Sequence, residues 1–179
     1  MTAPDDAAVP TELNDPAFGV VGVDHVGIAT ADLDRTVALY TGAFGMVEVH
    51  RETNTEQQVV EVMLAAAGEA TSDGRSGPPA RLQLLAPLSP DSAIATFLDR
   101  SGPGLQQLAL RVVDVAATAD RLRRRGLRLL YPEPRTGTAG SKINFVHPKD
   151  AGGVLVELVE PAPTDPPAKP AKQAPTPGD

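Results

Sequence analysis

Five polar side chains interrupt otherwise aliphatic runs, and they hold the clearest chemistry in this 179-residue sequence. His25 lies in Val23-Asp-His-Val-Gly-Ile28 and Glu61 in Val59-Val-Glu-Val-Met-Leu64. Gln83 lies in Leu82-Gln-Leu-Leu85, Gln107 in Gln106-Gln-Leu-Ala-Leu110, and Glu157 in Val154-Leu-Val-Glu-Leu-Val159. A polar group on the inner face of such a strand must be paired, because its desolvation is otherwise uncompensated. One imidazole, one carboxylate and two amide oxygens can form a divalent-metal shell, harder than a Cys/His site. Taken singly, each is equally a hydrogen-bonded core residue. Glu61 is either exposed on one strand face or held in a hollow with a raised pKa. In the second case Glu61 and Glu157 form a pair able to take a proton from one side of a carbon and return one to the other. The remaining histidines, His50 and His147, lie apart from these positions. No hydroxyl nucleophile with a nearby base is visible, so Ser-His hydrolysis has little support.

The elements that must position these residues follow from period and punctuation. Val20–Ile28 reads as a strand. Asp32 or Asp34 can cap a helix that puts Leu33, Val37, Tyr40 and Phe44 on one face, and Gly45 is placed to stop it. Strands follow at Val47–Arg51, Val59–Leu64 and Arg81–Leu85, then a connecting helix from Asp91 to Arg100 that ends at Gly102. The pattern recurs: strand Gly104–Val112, helix Val115–Arg125 closed by Gly126, and strands Arg128–Tyr131, Lys142–His147 and Val154–Val159.

The recurrence is an internal repeat. Gly22-Val-Asp-His25 through Asp32-Leu33 aligns without gaps on Gly104-Leu-Gln-Gln107 through Asp114-Val115. Leu82-Gln83-Leu-Leu-Ala-Pro87 matches Val156-Glu157-Leu-Val-Glu-Pro161. The chain therefore reads as α+β: two βαβββ modules in tandem, residues 21–88 and 104–161, forming one curved mixed sheet with helices outside. Each module alone is too small for a good core. The repeat pairs His25 with Gln107 and Gln83 with Glu157, so pseudo-twofold symmetry brings all four to the hollow between the copies. That symmetric placing strengthens the metal reading.

Composition bounds the remaining options. With 16 basic and 23 acidic residues, a net charge of −7 and 3% aromatic residues, nucleic acid is not an expected partner. The absence of cysteine excludes disulfides, thiolate metal ligands and a thiol nucleophile. The start MTAPDDAAVP has no apolar h-region and no run approaches 18 apolar residues, which predicts a soluble cytoplasmic protein with no membrane partner. Residues 1–18 and the Pro-rich 163–179 read as disordered tails around a domain spanning 19–162, with a polar Gly/Pro loop at Gly68–Ala80. Arg121, Arg123, Arg124, Arg125 and Arg128 form the one basic cluster, either a solvated helix end or a phosphate contact. Gly137-Thr-Ala-Gly140 resembles a phosphate-cradling loop only in its glycines.

The motifs Asp24-His25-Val-Gly-Ile-Ala, Val60-Glu61-Val, Leu82-Gln83-Leu-Leu-Ala-Pro-Leu, Lys142-Ile-Asn-Phe-Val-His147-Pro-Lys and Gly153-Val-Leu-Val-Glu157-Leu together resemble the methylmalonyl-CoA epimerases of the vicinal oxygen chelate superfamily. The resemblance covers about residues 20 to 161. It implies that superfamily's glyoxalase-like fold, a homodimer, and epimerisation of (R)- and (S)-methylmalonyl-CoA by two-base proton transfer. It implies a divalent metal, Co²⁺ first, with Zn²⁺, Mn²⁺ or Ni²⁺ as alternatives, held by His25, Gln83, Gln107 and Glu157. It also implies Glu61 and Glu157 as the acid/base pair. One departure stands out: members commonly show His-His where this chain has Gln106-Gln107, and a carboxamide is the weaker donor to a late transition metal. The rival readings are a glyoxalase-type isomerase and a non-catalytic, resistance-type ligand binder. For the binder, Glu61 would have no reason to sit among valines.

Overall fold

The computed structural model describes residues 19–67 and 80–163. Apart from Pro163, the predicted tails lie outside the described residues, as does all of the predicted Gly68–Ala80 loop except Ala80. Strand β1 (Val20–Ala29) leads through α1 (Leu33–Phe44) to β2 (Met46–Asn54), β3 (Val59–Ala66) and β4 (Arg81–Pro87). Helix α2 (Ala93–Ser101) then connects to β5 (Gly104–Val112), α3 (Val115–Arg124), β6 (Arg135–Thr136), β7 (Lys142–Val146) and β8 (Leu155–Glu160). The strands form one eight-stranded sheet in the order β2-β3-β4-β1-β5-β8-β7-β6, curled into a half-barrel.

Its topology follows the repeat. β1 pairs with β4 in parallel and β5 with β8 in parallel, while β1 and β5 run antiparallel along the central seam. A parallel pairing needs a crossover, which α1 and α3 begin. Asp32 and Asp114 start those helices in equivalent ways: the first accepts a hydrogen bond from the Arg35 N–H at 3.1 Å, the second from the Ala117 N–H at 2.8 Å. Gly45 ends α1 in the left-handed region, φ 67°, where a Cβ would be strained.

Strand alternation then divides the side chains between two faces. On the outer face Val62, Leu64 and Leu84 pack under Leu33, Val37 and Tyr40 of α1, and Val112 and Leu158 pack under Val115 and Leu122 of α3. The inner face carries Ala29, Val59 and Leu85 against Ile94 of α2, and Ala109, Ile143, Phe145 and Val159 against Tyr131. His25, Glu61, Gln83, Gln107 and Glu157 fall on the inner face, in phase with these residues.

The second module departs from the predicted pattern at one place. Arg128–Tyr131 is not a strand: only an isolated bridge from Leu129 to Val146 forms, and the two-residue β6 takes the outer place in the sheet. Pro132 and Pro134 follow and lack an N–H for a ladder. The Asn144 side chain, fully buried, instead accepts from the Tyr131 N–H and donates to the Tyr131 carbonyl, at 3.2 and 3.0 Å.

The two caps give a stability test of the repeat. Asp32→Ala and Asp114→Ala should each cost about 1 kcal/mol in urea unfolding. The caps share no partner, so the double variant should lose their sum to within roughly 0.5 kcal/mol.

Candidate active site

The five inner-face residues meet. All are between 2% and 8% exposed, so each polar group must find its partner within the protein. The Gln107 carboxamide nitrogen is the hub: it donates to Glu157 Oε2 at 2.6 Å and to Gln83 Oε1 at 3.1 Å, and lies 3.4 Å from His25 Nε2. Gln83 turns its own nitrogen outward and donates to Glu61 Oε2 at 2.7 Å. The two carboxylates thus stand on different walls, Glu61 on β3 and Glu157 on β8, joined through Gln83 and Gln107.

The centre needs a close backbone approach. A Cβ on Gly27 would come within 2.5 Å of Gln107 Cγ. Glycine at this position of β1 is what lets the long Gln107 side chain lie across the seam.

Residues that the strand pattern did not mark complete the site. Both ring nitrogens of His25 face carboxylates: Nδ1 lies 3.0 Å from Asp24 Oδ1 and Nε2 lies 3.2 Å from Glu157 Oε2. Burial opposes a charged imidazole, but the hydrogen bonds and charges of Asp24 and Glu157 outweigh it and raise His25 to about 9. Asp24 is held in turn by Arg111, at 2.6 Å, and burial notwithstanding, its contacts with His25 and Arg111 lower its pKa. Glu61 is pushed up to about 7, chiefly by burial; a hydrogen bond from the Thr138 hydroxyl opposes this, and the nearby Glu52 and Glu157 carboxyls add to it. That hydroxyl donates to Glu61 Oε1 at 2.6 Å. Gly137–Gly140 therefore serves as a turn that presents Thr138 to a carboxylate. The arginine cluster also has structural work: Arg123 donates to the Tyr131 and Pro132 carbonyls, and Arg128 pairs with Asp150 at 2.6 Å.

Two cavities open off this centre, and Thr138 and Glu157 line both. The smaller, about 200 Å³, is walled by Val59, Leu85, Ile94, Tyr131 and Phe145. The larger, about 530 Å³, has Asp24, His25, His50, Met63, Arg81 and Arg111 on its walls.

With this geometry in view, the comparisons with known proteins are specific. The model of the glyoxalase/bleomycin resistance protein/dioxygenase superfamily matches residues 24–145. The chain belongs to this superfamily. Within it, the chain groups with the methylmalonyl-CoA epimerases. The crystal structure of methylmalonyl-CoA epimerase from Mycobacterium tuberculosis is 55% identical over 80% of this chain and 90% of its own, with a TM-score of 0.73. A Streptomyces coelicolor methylmalonyl-CoA epimerase variant in complex with 2-nitronate-propionyl-CoA is 44% identical over 80% of this chain and 99% of its own, with a TM-score of 0.74. The human mitochondrial methylmalonyl-CoA epimerase is 32% identical, over 76% of this chain and 72% of its length.

Enzymes of this superfamily typically use a divalent metal. Among the described residues no three His, Cys, Asp or Glu side chains gather to hold one, so carboxamides must complete any shell. The donors fit that requirement. His25 Nε2, Gln83 Oε1 and Glu157 Oε2 lie around the Gln107 carboxamide, whose own oxygen is a fourth donor.

The tight contact at Gly27 gives a second test. Gly27→Ala should displace Gln107 and cost roughly 1–3 kcal/mol, as overpacking does. Combining it with Gln107→Ala should cost measurably less than the two changes summed, when followed by denaturant unfolding.

Proposed function

We propose that the protein epimerises methylmalonyl-CoA, interconverting the (R) and (S) forms by 1,1-proton transfer between two carboxylates. The observation that carries this reading is the buried pair Glu61 and Glu157, set on separate strands and linked through the Gln83 and Gln107 carboxamides. The named relatives above support the substrate.

The reacting carbon belongs where the two cavities meet, between Glu61 and Glu157. One glutamate takes the α-proton from one face and the other delivers a proton to the opposite face, which inverts the centre. Glu61, raised to about 7, exchanges readily between its acid and base forms near neutral pH. The Thr138 hydroxyl and the Gln83 amide fix its two oxygens, so the carboxylate meets the substrate in one orientation. Glu157 is oriented by the Gln107 amide and the His25 ring. The apolar walls at Val59, Leu85 and Phe145 exclude water from the carbanionic intermediate.

His25, Gln83, Gln107 and Glu157 are the residues that would hold a divalent ion, with cobalt first among the candidates. When bound, such an ion supplies Lewis-acid stabilisation of negative charge on the thioester oxygen. His25 Nε2 must give up its proton to serve, so loading the site releases protons. The resemblance to the epimerases extends the proposal to a homodimer in the cytoplasm. No helix among the described residues is long and apolar enough to cross a membrane.

The test is solvent-deuterium incorporation into methylmalonyl-CoA, followed by mass spectrometry with and without a chelator. Incorporation that the chelator suppresses is expected; no incorporation by the metal-loaded protein removes the proposal. Glu61→Gln should lower inversion by about 10²–10⁴-fold while metal uptake is retained. Native turnover by that variant would dismiss the two-base scheme. Gln107→His should tighten Co²⁺ or Zn²⁺ binding in calorimetry, since imidazole is the stronger donor.

A further inference from the structure

The two ends of the hollow are covered differently. The repeat sets Pro87 against Pro161. Beyond Pro87 the chain runs into α2, whose Ile94 packs on Ala29, Val59 and Leu85 and walls the smaller cavity. Beyond Pro161 no helix follows among the described residues, and Pro161, Ala162 and Pro163 themselves line the larger cavity. The ends differ in charge as well. The charged side chains on the smaller cavity are Glu56 and Glu157, with no cation among its lining residues. The larger cavity has Arg81 and Arg111 on its walls. Arg111 is already committed, to Asp24 at 2.6 Å. Arg81, exposed at the start of β4, forms no ion pair with another described residue. Gln83 follows two residues later on the same face, so Arg81 departs from the strand roughly 7 Å from Gln83.

We infer that the coenzyme arm of methylmalonyl-CoA leaves the centre through the larger cavity, and that Arg81 there takes the charge of its diphosphate. The inference rests on the epimerase reading and gives a place to the part of the substrate that does not react. A CoA thioester carries its acyl group at one end of a long arm and its phosphates at the other. The smaller cavity offers about 200 Å³, a helix on one wall and two carboxylates that repel phosphate. The larger offers about 530 Å³, with apolar surface at Met63 and Val159 for the arm's methylenes and methyls, and Ser141 for its amides. Its Arg81 guanidinium has the planar fork that matches phosphate oxygens, and no described carboxylate competes for it. A chain of net charge −7 repels a polyanion at long range, so a cation placed on the route counts for more.

The chain has no cysteine, so a single introduced thiol reports cleanly on each cavity. Ala162→Cys places one at the larger cavity and Leu130→Cys one at the smaller. Each metal-loaded variant is alkylated with iodoacetamide, with and without saturating methylmalonyl-CoA. The substrate should slow alkylation several-fold at Ala162→Cys and less at Leu130→Cys. Equal or greater slowing at Leu130→Cys, or none at Ala162→Cys, overturns the route. Arg81→Ala is then assayed with methylmalonyl-CoA and with methylmalonyl-pantetheine, which lacks the diphosphate. KM for the CoA thioester should rise several-fold, with a clearly smaller rise for the pantetheine thioester. An equal rise for both, or none for the CoA thioester, overturns the role of Arg81. Those failures leave the epimerase reading intact. A wild-type protein that inverts neither thioester removes that reading, and the inference with it.

Discussion

A polar side chain on the concave face of an aliphatic sheet has only other buried groups to satisfy it, and this constraint organises the structure. Removing water from His25, Glu61, Gln83, Gln107 and Glu157 would be costly if each were alone. The fold meets that cost by bringing them into one connected network. The network is worth building only where it can be completed, since a partly satisfied polar cluster is worse than an apolar core. The curl of the sheet, the central β1–β5 seam and the bare Cα of Gly27 all serve that completion.

The connected network also sorts the two glutamates. Glu157 sits beside the His25 imidazole and the Gln107 amide. Glu61 is buried and lies beside another carboxyl, both of which favour its neutral form. Two identical side chains are thus set in unlike surroundings, one among hydrogen-bonding partners of the seam and one buried against a second carboxyl.

Much of this was legible in the sequence because the repeat made it so. His25 against Gln107, and Gln83 against Glu157, occupy matching strand positions, and period-two alternation puts a residue on the inner face wherever its neighbours show that face is buried. Asp32, Asp114 and Gly45 announced the helix ends through their chemistry. Thr138 left no such signal, because it acts from a turn in the second module on a strand of the first. Glu52 and His50 sit in a strand with mixed exposure, where charged residues look like ordinary surface. Asp24 and Arg111 pair across the seam, at a register altered by local irregularities in the β1–β5 ladder that no alternation rule supplies. At Arg128–Tyr131 the predicted strand shrinks to a single bridge: the Leu130 N–H and the Arg128 carbonyl bond to Phe145 and His147, but the Asn144 side chain takes both backbone groups of Tyr131.

The duplication is faithful in backbone and unfaithful in chemistry. Where one half offers an imidazole the other offers an amide, and where one offers an amide the other offers a carboxylate. A cradle with true twofold symmetry would accept a guest in either of two poses related by that axis. Here the mismatched halves make those poses unequal in energy, so the broken likeness between the copies is itself what decides which way round a guest lies.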